Sequence, residues 1–152
     1  MNLIKNLTFA TLALGLVFQA PAKQAANSSP LRLTFEKSFA GGGPAGYLFH
    51  FAGSFDGDLT GTLFTGVRVL EPVDRKGNIL HLEADYVFSD AHGNYLFTAS
   101  VAGNSNAHTG KAVLVGEVSG GAYDGAQVHV EFDDLGGGTY RGTVRVMHAG
   151  GH

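Results

Sequence analysis

The chain has no cysteine among its 152 residues, which excludes disulfides, thiolate nucleophiles and cysteine-ligated zinc. Basic residues are few: Lys and Arg number 10 against 13 Asp and Glu. They are also scattered, since Arg32, Lys37, Arg68, Arg75, Lys76, Lys111, Arg141 and Arg145 form no run. Nucleic acids and anionic membranes are recognised by basic patches that displace counterions, so neither is expected as a partner. No nucleophile elbow, phosphate loop, dinucleotide fingerprint or zinc-protease motif occurs. The apolar stretch at 7–18 is 12 residues long, short of the roughly 20 that a transmembrane helix needs. Beyond it, no stretch carries the 3.6-residue apolar period of an amphipathic helix.

What is present begins with a targeting pattern. Lys5 gives a basic start, 7–18 an apolar core, and Ala20-Pro21-Ala22 a small-x-small cleavage site. Residues 1–22 are therefore expected to be a signal peptide cleaved after Ala22, with the remaining chain exported to a periplasmic or extracellular compartment and left without a transmembrane segment. Removing Lys5 takes the basic count from 10 to 9 against 13 acids, a formal charge of −4. Residues 23–30 are small and polar and read as a flexible leader, residues 31–148 as one β-barrel domain, and 149–152 as a glycine-rich tail.

From Leu31 the period is two. Leu31, Leu33 and Phe35 alternate with Arg32, Thr34 and Glu36, as in a half-buried strand. A second strand opens at Tyr47, and 58–70 reads as one long strand or two broken near Gly66. Two matching turns, Asp74-Arg75-Lys76-Gly77-Asn78 and Asp90-Ala91-His92-Gly93-Asn94, enclose a strand at 79–89; in each, Asp caps the turn and Gly takes the positive-φ position. Strands follow at 95–102, 111–119, 127–133 and 139–148, with 103–110 a polar loop. A glycine–aromatic–glycine element is written three times, as Gly53-Ser54-Phe55-Asp56-Gly57, Gly121-Ala122-Tyr123-Asp124-Gly125 and Gly138-Thr139-Tyr140-Arg141-Gly142. It suits a sheet that bends while a ring covers bare backbone. About eight strands with short connections predict an all-β meander closed into a single antiparallel barrel, which removes exposed edges; a β-sandwich is the alternative.

The stretch Val118-Ser119-Gly120-Gly121-Ala122-Tyr123-Asp124-Gly125-Ala126 resembles the Gly-Gly-x-aromatic-x-Gly-Ala turn of the allene oxide cyclase-like and dirigent-like barrels, of calycin type, although their extra Gly-x pair before the aromatic is missing here. Residues 51–61, Leu82-Glu83-Ala84-Asp85-Tyr86 and Asp90-Ala91-His92-Gly93 are similar to a bacterial family of small barrel domains without established function. The resemblance implies an eight-stranded antiparallel barrel whose lumen can hold an apolar molecule. It carries no catalytic residue across.

One constellation has chemical potential. His81-Leu82-Glu83-Ala84-Asp85 and His129-Val130-Glu131-Phe132-Asp133 are both His-x-Glu-x-Asp, and strand alternation puts the three polar residues of each on one face, about 7 Å apart. Side by side and facing a cavity, His81, Glu83, His129 and Glu131 would suit a divalent metal. The stronger reading makes Leu80, Leu82, Ala84, Tyr86 and Phe88, with Val128, Val130 and Phe132, the core face and leaves the polar set in solvent. No metal and no cofactor is therefore favoured. His50, between Phe49 and Phe51, is a candidate for a lumen position opposite the phenylalanines. His148 and His152 lie on the glycine tail. Ligand sites are mainly apolar with few polar groups, which makes His50, Phe49, Phe51, Tyr86 and Phe97 the candidate ligand-binding residues.

Two functions from different classes remain. The favoured one is a non-catalytic exported barrel that binds a small apolar or amphipathic molecule or serves as a structural envelope module. The alternative is a cofactor-independent isomerase, cyclase or lyase that confines a flexible substrate in an apolar lumen and needs at least one buried polar group, with His50, Glu83 or Arg145 as candidates.

Overall fold

A computed structural model describes residues 29–147. Eight strands follow one another in order: β1 (Leu31–Gly42), β2 (Phe49–Gly57), β3 (Gly61–Pro72), β4 (Ile79–Asp90), β5 (Tyr95–Asn106), β6 (Lys111–Ser119), β7 (Gln127–Gly136) and β8 (Thr139–Met147). Each pairs antiparallel with the next, and β8 pairs with β1, so the sheet closes into an eight-stranded meander barrel with no free edge. A barrel is the form found, not a sandwich. The signal-peptide and tail assignments, with His148 and His152, lie outside the described residues.

Period-two alternation writes the wall. On β4, Leu82, Ala84, Tyr86 and Phe88 are buried while the residues between them stay partly exposed. On β7, Val128, Val130 and Phe132 do the same. Both matching turns form as their chemistry requires: Asp90 Oδ1 accepts from the N–H of His92 and of Asn94 at 2.9 Å, Asp74 Oδ1 accepts from Ile79 N–H at 3.0 Å, and Gly77 and Gly93 take positive φ. Of the two readings of 58–70, the single long strand is the one found: β3 is continuous through Gly66, with a bulge between Val67 and Val69. The bulge shifts the inward parity from odd to even positions, so that Leu70 faces the lumen side. Residues 103–106, expected as loop, extend β5 and leave only 107–110 as the connection.

The three glycine–aromatic elements do different jobs. Gly53 is paired with Lys37 across β1 and β2; a Cβ there would overlap the Glu36 carbonyl oxygen and come within 2.7 Å of Lys37 Cα. Gly53→Ala is expected to push the two strands apart and lower stability by about 2 kcal/mol or more, read as a lower urea midpoint; an unchanged midpoint would show that the contact relaxes freely. Gly142 marks the corresponding close approach on β8, against Glu131. The middle copy is not a strand bend. It forms the β6–β7 connection around a single 3₁₀ turn, Gly121–Tyr123, whose Tyr123 ring packs edge-on against Phe97 at 5.8 Å.

That ring belongs to a plug. Phe55, Phe88 and Phe97 fill the end of the barrel bounded by the β2–β3, β4–β5 and β6–β7 connections, with Phe55 and Phe88 edge-to-face at 5.1 Å and Phe88 stacked on Phe97 at 4.6 Å. The opposite end, bounded by the other four connections, is not filled in this way.

Candidate functional site

The alternation that buries Leu31, Leu33 and Phe35 on β1 runs one step further, to Lys37. Its side chain therefore enters the barrel, where it is only 4% exposed. Nζ donates a hydrogen bond to Tyr86 Oη at 2.7 Å and lies 4.2 Å from the centroid of the Tyr86 ring, 5.0 Å from those of Phe51 and Phe132, and 5.5 Å from that of Phe35. Among the described residues no carboxylate comes within ion-pairing distance of it; every ion pair there lies on other residues. Four rings replace water only in part, so burial holds the Lys37 amine well below the ordinary lysine range. Burial also pushes the Tyr86 phenol far up, which keeps it protonated.

Lys37 and Tyr86 stand at the inner end of a cavity of about 200 Å³. Buried Thr65, Ala84 and Leu82 share that end, while partly exposed Phe49, Leu80, Ser105, Asn106 and Tyr140 form the mouth. Thr65 Oγ1 is buried without a hydrogen-bond partner among the described residues. Tyr140 closes one side, edge-on to Phe51 at 5.3 Å and to Phe132 at 5.4 Å; burial, then the charge of nearby Asp134, raises its phenol. An apolar sleeve thus ends in an amine, a phenol and an orphan hydroxyl. Such a site takes a small molecule with an apolar body and one polar end.

The chain matches no protein-family model, no curated protein and no solved structure. The site stands on its own geometry.

Of the five residues singled out from sequence as ligand-binding, Phe49, Phe51 and Tyr86 line the cavity. Phe97 lies in the aromatic plug at the closed end. His50 is on the outer wall, because Phe49 and Phe51 take the inward parity; its ring stacks on Phe64 at 5.6 Å and its Nδ1 is 3.0 Å from the Gly42 carbonyl oxygen. The two His-x-Glu-x-Asp segments also face outward. Strands β4 and β7 are separated by β5 and β6, so His81 and Glu83 are not brought beside His129 and Glu131. Within each segment the histidine Nε2 is instead 3.1 Å from its own glutamate. Among the described residues no cluster of three or more His, Asp or Glu could hold a metal.

The rest of the first segment is wall chemistry. Asp85 accepts from the Tyr47 hydroxyl and from the Ser100 hydroxyl at 2.8 Å and pairs with Arg68 at 3.3 Å. The Tyr47 ring in turn covers Gly66, whose Cβ would meet it at 2.5 Å. Arg145 is exposed on β8. The residue that sequence reasoning missed is Lys37, and the signal was available: it occupies the next odd position after Leu31, Leu33 and Phe35.

Proposed function

We propose that this barrel is an exported binding protein for a small molecule that is mostly apolar and carries one polar end. The observation that carries this reading is the cavity itself, open at one end, lined mainly by apolar side chains, with Lys37, Thr65 and Tyr86 at its floor and Ser105, Asn106 and Asp134 at its mouth. Its size bounds the ligand. An apolar cavity of about 150 Å³ accepts benzene, so a cavity of about 200 Å³ suits a molecule of roughly ten non-hydrogen atoms. The likeness of 118–126 to the turn of cyclase-like barrels supports the same reading, since the lumen of such barrels can hold an apolar molecule.

Benzyl alcohol, an apolar ring with one hydroxyl, is a suitable probe. Titration followed by protein NMR is expected to give one site with a Kd of about 0.1–1 mM, which is ordinary for so few atoms, with shifts centred on Lys37, Thr65 and Tyr86. Ala84→Phe, which places a ring inside the cavity, is expected to weaken binding at least about 10-fold, and the smaller Ala84→Leu to do so in part. Parent-like affinity in a folded Ala84→Phe protein, or no binding by the parent, would remove the reading.

A further inference from the structure

Lys37 is set up for more than attracting a polar group. A lysine placed to bind an anion ordinarily keeps its charge, through acidic neighbours or through water. Here Nζ has neither an acidic partner among the described residues nor an exposed surface; it has one phenol and four ring faces. Resting on the binding reading above, we propose that Lys37 captures carbonyl compounds, its side-chain nitrogen condensing with a small apolar aldehyde or ketone held in the cavity to form a reversible imine, with the Tyr86 hydroxyl relaying protons.

The chemistry balances without an added reagent. The nitrogen lone pair forms a bond to the carbonyl carbon while the carbonyl π pair moves onto oxygen, which takes a proton. The nitrogen then sheds a proton to give the carbinolamine, the hydroxyl departs as water after protonation while the C=N bond forms, and the iminium nitrogen sheds its second proton; amine and carbonyl become imine and water, both amine protons leave in that water, and nothing is oxidised or reduced. Each proton movement needs a group at the nitrogen, and Tyr86 Oη is 2.7 Å away. Its oxygen accepts from Lys37 and its O–H has no acceptor among the described residues, so it is available to the carbonyl oxygen. Thr65 Oγ1, buried and unpartnered, is a second hydroxyl lining the same space. A nucleophilic lysine must be neutral, and the cause of neutrality is the desolvation already described. The apolar sleeve also keeps bulk water from the imine, which slows hydrolysis.

The full chain is incubated at pH 7 with benzaldehyde and sodium cyanoborohydride, which fixes an imine as a secondary amine, and the adduct is located by peptide mapping. The exposed Lys76 and Lys111 serve as internal controls for amines left in water, and the hydrogen bond from Lys111 to Asp133 raises that amine. The expected result is one adduct, the aldehyde minus its oxygen, on Lys37. It should form at least about 10-fold faster than on Lys76 or Lys111, with a rate that saturates in benzaldehyde, falls when benzyl alcohol is added and levels off at a lower pH than the rate at the exposed lysines. Lys37→Met is expected to abolish it. Tyr86→Phe, which keeps the ring, is expected to slow it about 10-fold or more, and an unchanged rate in that variant would overturn the relay. If benzyl alcohol binds but Lys37 is modified no faster than Lys76, the amine is not a carbonyl trap and the binding reading survives. Tighter binding of benzoate than of benzyl alcohol, with no adduct at Lys37, would likewise replace capture by anion binding. If neither benzyl alcohol nor benzaldehyde engages the cavity, both readings fall together.

Discussion

A barrel carrying Lys37→Met is expected to be more stable than the parent at pH 7, and the difference is expected to close as the pH passes about 10. Methionine keeps the length and much of the volume of lysine without a charge to desolvate. Buried ionic groups exchanged for apolar ones of similar volume typically gain about 1–4 kcal/mol, and the upper part of that range is reduced here because ring faces and the Tyr86 hydroxyl already offset some of the lysine's cost. The pH dependence follows from the direction of the shift. Because the folded pKa is lowered, the unfolded chain holds one more proton at every pH between the folded and unfolded values, and the parent's stability rises with pH across that window. The burden is complete below the folded pKa and gone above the unfolded one, about 10.4; the methionine variant lacks this term throughout. Urea midpoints of the two proteins at pH 6, 7, 9 and 10.5 would show it. A variant less stable than the parent at pH 7 would mean that the ammonium's contacts with Phe51, Tyr86 and Phe132 outweigh its desolvation.

Phe88→Ala is expected to cost about 3–5 kcal/mol, a large part of the roughly 5–15 kcal/mol that holds a domain of this kind together. Phe88 is fully buried and is the middle ring of three, edge-on to Phe55 and stacked on Phe97. Truncation therefore loses two aromatic contacts, worth about 0.5–1.5 kcal/mol each beyond their area, and opens a void that the closed wall cannot collapse to fill. The effect should appear in urea as a lower midpoint with an unchanged slope. Phe49, partly exposed at the mouth, should cost less than half as much when truncated in the same way. Equal losses at the two positions would contradict the division of the interior into a packed end and an open one.

The contrast between those ends was only partly legible in the sequence. Alternation at Leu82, Ala84, Tyr86 and Phe88 favoured the side of β4 that the structure turns inward, and the Asp-x-x-Gly-Asn turns marked where the hairpins close; both signals are local and need no partner strand. The eight-strand count and the meander follow from the same local signals. Lys37 was legible by parity and hidden by chemistry: a lysine ordinarily marks the solvent side, so the inward set reads as Leu31, Leu33 and Phe35 when it continues to Lys37. His50 failed the opposite way, since a histidine among phenylalanines suggests a lumen although its even position puts it outside. The cavity depends on facts no single strand carries, namely the bulge between Val67 and Val69 that turns Leu70 inward, and the packing of Phe49, Phe51, Tyr140 and Phe132 edge-on against one another as cavity lining. The joining of the two His-x-Glu-x-Asp segments required β4 and β7 to be neighbours, which a meander does not provide.

The closure of the wall has a consequence for the charge of its own floor. Every strand pairing in the meander joins neighbours in the chain except one, the seam between β1 and β8, which sets Lys37 opposite Tyr140 across more than 100 residues of sequence. Without that seam β1 would be an edge strand and the Lys37 ammonium would have water around it. The closed wall has the phenol and four rings in place of that water. At any pH between the two pKa values of this lysine, folding into the closed barrel therefore expels a proton to solvent, and the free amine belongs to the closed wall, not to the strand that bears it.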